Sequence, residues 1–125
     1  MSSARSTKLV AVVDDDDLLR VALRRLLKAS GLGALSFESA ENLLNSGRLP
    51  EIACLIADVR MPGMSGLELQ ARLKAEQCRI PIIFITAHGD AKMRVQAMRE
   101  GAVEFLTKPF DNAVLLEVVR AALES

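Results

Sequence analysis

Residues 9–17 read Leu9-Val10-Ala11-Val12-Val13-Asp14-Asp15-Asp16-Asp17, five apolar residues stopped abruptly by four aspartates. Beyond them the period changes. From Leu18 to Ser30 the apolar positions Leu19, Leu23, Leu26 and Leu27 recur at intervals of three and four, which gives an amphipathic helix ended by Gly31. A short apolar strand followed by a helix is the opening of a βα unit.

The pattern repeats outward from there. A weaker strand, Gly33 to Phe37, leads to Ser39, a good N-cap for a helix through Leu43 and Leu44 toward Gly47, and Pro50 closes that unit. Ile52 to Ala57 is apolar on both faces of its predicted strand, as expected for a central parallel strand covered by helices, and it ends at Asp58. Pro62 and Gly63 mark a turn before Ser65, which can cap a helix carrying Leu67, Leu69 and Leu73. Ile80 to Ile85 is a fourth strand ending at Thr86; Asp90 can cap a helix with Met93, Ala97 and Met98, terminated by Gly101. Val103 to Leu106 makes a fifth strand, ending at Thr107-Lys108-Pro109. A last helix runs from about Asp111 to Leu123, with Val114, Leu115, Val118 and Ala122 facing inward. Five βα units with right-handed crossovers place helices on both faces of one parallel sheet.

Composition narrows the function classes. The 125 residues fit a single domain, read as 1–125, and a chain of that size buries roughly two-thirds of its unfolded surface. Lys plus Arg and Asp plus Glu are 16 each, so the basic excess of a nucleic-acid-binding domain is missing. Arg20, Arg24, Arg25 and Lys28 form a small basic cluster whose helical spacing makes it the solvated side of the first helix. Cys54 sits in an apolar run and Cys78 between polar residues; with His88 as the single histidine they supply neither a disulfide framework nor a zinc site. The run Leu9 to Val13 is too short for a signal peptide or a membrane span, so a cytoplasmic location is expected.

In doubly wound sheets functional groups collect beyond the carboxyl ends of the strands. Asp14 and Asp15, Asp58, Thr86 and Lys108 all fall there. Taken singly, each is an ordinary turn or cap residue. Together, three carboxylates at one sheet edge would raise one another's pKa values unless a hard cation relieved them. Mg²⁺ (or Mn²⁺) suits such oxygen donors. Asp15 and Asp58 are the expected direct ligands, with Asp14 acting through water and the Arg60 carbonyl adding an oxygen. Asp58 can also be a nucleophile that forms an aspartyl-phosphate, with Lys108 and Thr86 meeting the phosphoryl oxygens. Lys108 precedes Pro109, where a cis bond can occur.

The segments Val12-Val13-Asp14-Asp15, Asp58-Val59-Arg60-Met61-Pro62-Gly63-Met64-Ser65-Gly66, Thr86-Ala87-His88-Gly89 and Lys108-Pro109-Phe110 resemble, in order and combination, a response-regulator receiver domain of two-component signalling. Gly101 to Leu106 before Thr107-Lys108-Pro109-Phe110 is similar to the FixJ-like branch. The resemblance implies a flavodoxin-like (βα)5 sheet of order 2-1-3-4-5. It also implies phosphorylation of Asp58 by a sensor histidine kinase, an acidic metal pocket of Asp14 and Asp15, phosphoryl reading by Thr86 and Lys108, and a switch in which Phe105 moves inward as Thr86 shifts. FixJ-like proteins commonly add a helix-turn-helix DNA-binding domain, so the resemblance implies a receiver from a longer transcription factor, with a stand-alone regulator as the alternative.

The surface such a switch would alter comprises the fourth helix, fifth strand and fifth helix. A phosphorylation-dependent homodimer is its expected use, with Met93, Val95 and Met98 as apolar contacts. His88 and Arg60 are candidates for tuning loss of the phosphoryl group. Two other classes share parts of the pattern. A metal-dependent phosphatase with an aspartyl-phosphate intermediate would turn over free phosphomonoesters and needs a dedicated general acid, but Val59-Arg60 follows Asp58. A dinucleotide-binding or structural α/β module would carry a Gly-rich loop where Asp14 to Asp17 stand.

Overall fold

Each apolar run becomes a strand and each amphipathic segment a helix. The computed structural model describes residues 9–87 and 90–124. In chain order the elements are β1 (Leu9–Val13), α1 (Asp17–Ala29), β2 (Gly33–Phe37), α2 (Ala40–Leu44), β3 (Ile52–Asp58), α3 (Gly66–Ala75), β4 (Ile82–Thr86), α4 (Ala91–Arg99), β5 (Glu104–Thr107) and α5 (Asn112–Glu124), with one 3-10 turn at Leu49–Glu51. All neighbouring strands are parallel, in the order β2-β1-β3-β4-β5. This is the doubly wound (βα)5 sheet of flavodoxin-like and receiver folds. No helix among the described residues is long and apolar enough to cross a membrane.

Two apolar layers hold the sheet. Alternate strand residues Ala11, Val13, Leu55, Ala57, Ile82 and Phe84 pack under Leu43 of α2, Leu69 and Leu73 of α3 and Ala97 of α4. The opposite set, Val10, Val12, Cys54, Ile56, Ile83 and Ile85, packs against Leu23 and Leu27 of α1 and Leu115 and Val119 of α5. Each fully buried aliphatic side chain contributes about 1.5–3 kcal/mol relative to exposure. Helix starts are set by side chains the sequence marks: Asp16 accepts from Leu18 N and Leu19 N, Ser39 from Asn42 N, and Asp90 from Met93 N. Ser65 and Glu68 form a reciprocal capping box. Past the end of α1, Gly31 adopts φ +82°, a left-handed conformation that costs a side-chain-bearing residue more than glycine.

Three boundaries differ from the sequence expectation. β4 begins at Ile82, not Ile80, because Pro81 has no N–H to give to the ladder. β5 is shifted one residue toward Thr107, and Val103 is exposed. On α5 the inward stripe is Leu115, Val119, Ala122 and Leu123. Val114, expected inside, is exposed and Val118 is half-buried, since the i, i+4, i+7, i+8 spacing from Leu115 leaves them on the flanks.

Gly66 is where backbone meets backbone. A Cβ there would lie 2.3 Å from the Asp58 carbonyl oxygen and 3.0 Å from the Phe84 ring, while Gly66 N donates to Val59 O at 2.8 Å. Gly66→Ala is therefore expected to destabilise the fold by about 1–3 kcal/mol, as overpacking commonly does. A urea-unfolding midpoint equal to that of the unchanged chain would refute this.

The two cysteines differ in reach. Cys54 is fully buried, and that burial pushes its thiol up to about 12, leaving almost no thiolate at neutral pH. Cys78 is half-buried. Alkylation of the native chain followed by intact mass should give one adduct, on Cys78, and a second only in denaturant. Equal labelling of both cysteines in the native state would contradict the burial of Cys54.

Candidate functional site

The register of the central strands builds the site. Val13 of β1 is paired with Ala57 of β3, so Asp14 and Asp58, the residues that follow, emerge side by side. Asp58 is in turn paired with Ile85 of β4, which puts Thr86 one step beyond it on the next strand. Asp14 is fully buried, Asp58 is 7% exposed and Thr86 is 1% exposed, whereas Asp15 is exposed. One carboxylate oxygen from each of Asp14, Asp15 and Asp58 lies within 4.8 Å of the others.

Lys108 reaches this cluster from the end of β5, after a strand whose Thr107 is paired with Thr86. Its own N–H donates to Thr86 O at 2.7 Å, and the Lys108–Pro109 peptide is cis. The ammonium stands 3.2 Å from Asp14 Oδ2 and 3.4 Å from Asp58 Oδ2. Backbone donors take the other oxygens: Asp16 N donates to Asp14 Oδ1 at 2.9 Å, and Arg60 N to Asp58 Oδ1 at 3.1 Å.

Burial is the main reason that the Asp14 carboxyl titrates above its ordinary range; the Asp16 N–H opposes this, and the neighbouring Asp58 charge adds to it. For Lys108, burial works against the charged form, but Asp14 and Asp58 outweigh it and the net direction is upward. One ammonium thus serves two carboxylates while a third stands beside them. The donor set is all oxygen, negatively charged and only partly compensated, which fits a hard divalent cation of the Mg²⁺ type. Asp14, Asp15 and Asp58 are the groups able to hold it.

The remaining predicted residues fall into two places. Arg60 is exposed in the turn after β3, and its N–H, as noted, binds Asp58. His88 lies outside the described residues. Phe105 stands away from the carboxylates, on β5 opposite Phe84, with ring centroids 6.4 Å apart; it is 3% exposed, so its ring already lies inward. Val95 and Met98 are exposed on α4, while Met93 is half-buried against the core beneath α2, α3 and α4.

Arg20 departs from the sequence reading. Helical spacing assigns it to the solvated side of α1, yet its side chain is only 15% exposed. Nη1 donates to the Asp14 carbonyl at 2.6 Å, and Nη2 pairs with Asp17. The i, i+3 spacing of Asp17 and Arg20 was the available signal for the pair; the bond to Asp14 arises only when the acidic turn folds back. Glu41 of α2 was likewise invisible: its carboxylate accepts from Met64 N at 2.9 Å, pinning the turn that follows Asp58.

Comparison with known proteins agrees with this architecture. Residues 10–120 match the response regulator receiver domain. Nodulation protein W of Bradyrhizobium diazoefficiens is 46% identical over 123 residues, covering 98% of this chain and 54% of that protein. Response regulator protein TodT of Pseudomonas putida is 47% identical over 116 residues, covering 93% and 51%. Among solved structures, response regulator StyR superposes with a TM-score of 0.88 at 47% identity, over 94% of this chain and 60% of that one. FixJ-N gives 0.84 at 39% identity, over 94% of both. The chain spans about half the length of the curated relatives it matches. Its sheet, its acidic triad and these likenesses together support a receiver-domain signalling role. The chain belongs to the response regulator receiver domain family and is closely related to the FixJ and TodT regulators.

Proposed function

We propose that Asp58 accepts a phosphoryl group from a phosphohistidine of a sensor kinase and stores it as an aspartyl-phosphate. The observation that carries this is the placement of the Lys108 ammonium, 3.4 Å from Asp58 and 3.2 Å from Asp14, at the edge where the third carboxylate also lies. In the transfer an Asp58 oxygen forms the new P–O bond as the P–N bond breaks, and the pair of that bond stays on the ring nitrogen, so that an imidazole already protonated on its other nitrogen leaves neutral. Bound Mg²⁺ would neutralise charge on the phosphoryl oxygens. Asp15 and Asp58 would hold it directly, Asp14 through water, with the Arg60 carbonyl as a further donor. Lys108 supplies a point charge to one equatorial oxygen and Thr86 a hydroxyl to another.

Incubation with acetyl phosphate and Mg²⁺, read by intact mass, tests the assignment. The unchanged chain should gain one phosphoryl group and Asp58→Asn none. No adduct on the former, or an undiminished one on the latter, would overturn it.

A phosphoryl group adds about −1.5 to −2 charge and three acceptor oxygens. It favours whichever arrangement of Thr86, Lys108 and Phe105 offers more contacts, which biases the face made by α4, β5 and α5. A homodimer through that face, with Met93, Val95 and Met98 as apolar contacts, is the proposed consequence, in a cytoplasmic regulator whose output domain is of the helix-turn-helix type. The relatives named above are transcriptional and response regulators about twice as long, which supports that reading. Val95 is 53% exposed, so Val95→Asp adds a charge to the face without disturbing the core. It should weaken a phosphorylation-induced dimer at least tenfold in sedimentation equilibrium, and unchanged association would exclude Val95 from the contact.

A further inference from the structure

Asp15 is the exposed member of the acidic triad, and among the described residues its carboxylate has no hydrogen-bond or ion-pair partner. Among the described residues, then, only the backbone restrains where its Cα–Cβ bond points. The peptide unit that joins Asp14 to Asp15 is planar, so fixing the Asp14 carbonyl oxygen fixes the plane from which the Asp15 Cα departs. That oxygen accepts from Arg20 Nη1 at 2.6 Å. The other arm of the same guanidinium is held by Asp17, one turn earlier on α1. A planar fork with one arm on α1 and the other on the acidic turn ties the turn to the helix in one orientation, which a flexible ammonium does not do.

From this we propose that Arg20 is a positioning residue for the divalent-cation site, acting through the Asp14–Asp15 peptide and not by touching the cation. The inference rests on the metal reading given above. It makes a prediction opposite in sign to simple electrostatics. A guanidinium beside an acidic pocket repels a cation, so its removal should tighten binding if charge alone mattered. If Arg20 orients Asp15, its removal weakens binding although the pocket becomes more negative.

Calorimetric titration of Mg²⁺ at constant ionic strength separates the two. Arg20→Met should bind Mg²⁺ about tenfold more weakly than the unchanged chain, the low end of the loss expected when a residue that orients a ligand is removed. Arg20→Lys keeps the charge but not the fork, and should also bind more weakly. Urea unfolding of each variant establishes that the titrated chain is folded. Affinity for Mg²⁺ that is unchanged or tighter in Arg20→Met overturns the proposal, including when that variant is less stable, because a merely structural role would lower stability and leave affinity alone. Should Arg20→Met fail to fold, Arg20→Lys decides by the same criterion, and wild-type affinity there overturns it. An unchanged chain that binds no Mg²⁺ removes the metal reading and this inference with it, which distinguishes that failure from a failure confined to Arg20.

Discussion

Two buried carboxylates sharing one ammonium form the interaction on which the site's arrangement depends. Asp14 and Asp58 leave adjacent strands at the same level, and like charges so placed repel by several kcal/mol even at an effective dielectric of about 20. Lys108 offsets part of that repulsion from the end of β5. The groups come from β1, β3 and β5, so no local segment could assemble them. The strand order does so, by setting β1 beside β3 at the centre and bringing β5 in from the edge beyond β4. A sheet with the same strands in another order would keep its core and lose this site.

Around that edge the backbone is held unevenly. The turn after Asp58 is tied at three points: Arg60 N to Asp58, Met64 N to Glu41, and Gly66 N to Val59 O. Helix α4 is tied to α3 near its C-terminal end, where Gln70 Nε2 donates to Ala97 O at 3.0 Å and Lys74 pairs with Glu100 at 2.9 Å, and to β5 in its first half, where Arg94 donates to Phe105 O at 2.9 Å. The Gln70 bond is buried, whereas the Lys74 pair is exposed and screened by solvent. Arg94 then links any movement of α4 to the backbone of Phe105.

The sequence carried the elements and the site for one reason: period and punctuation are local. Apolar runs ending in Asp14, Asp58, Thr86 and Lys108 mark strand ends without reference to the rest of the chain. What escaped was decided by contacts between segments. Val114 and Val118 are as hydrophobic as Val119, and only the azimuth of α5 on the sheet selects the buried one. Spacing offers Arg20 an ion pair with Asp17 but puts it on the same polar side as the solvated Arg24; what draws it inward is a carbonyl oxygen in the preceding turn. The closeness of Gly66 to the Asp58 carbonyl depends on how the turn closes over β3, which no residue pattern states.

Charge balance links these observations. Five carboxylates, Asp14 to Asp17 and Asp58, face two cations, Lys108 and Arg20. Asp16 is occupied in capping α1 and Asp17 in holding Arg20, so neither competes for the pocket. What remains is three carboxylates against one ammonium. Fuller compensation would leave little electrostatic drive for a divalent cation. Less would add to the upward shift that burial already imposes on the Asp14 carboxyl. A single lysine between Asp14 and Asp58 offsets part of their repulsion while leaving the pocket negative, and in the proposed mechanism its mobile ammonium turns to a phosphoryl oxygen. In the proposed switch the same residue stabilises the site before phosphorylation and is available to it afterwards.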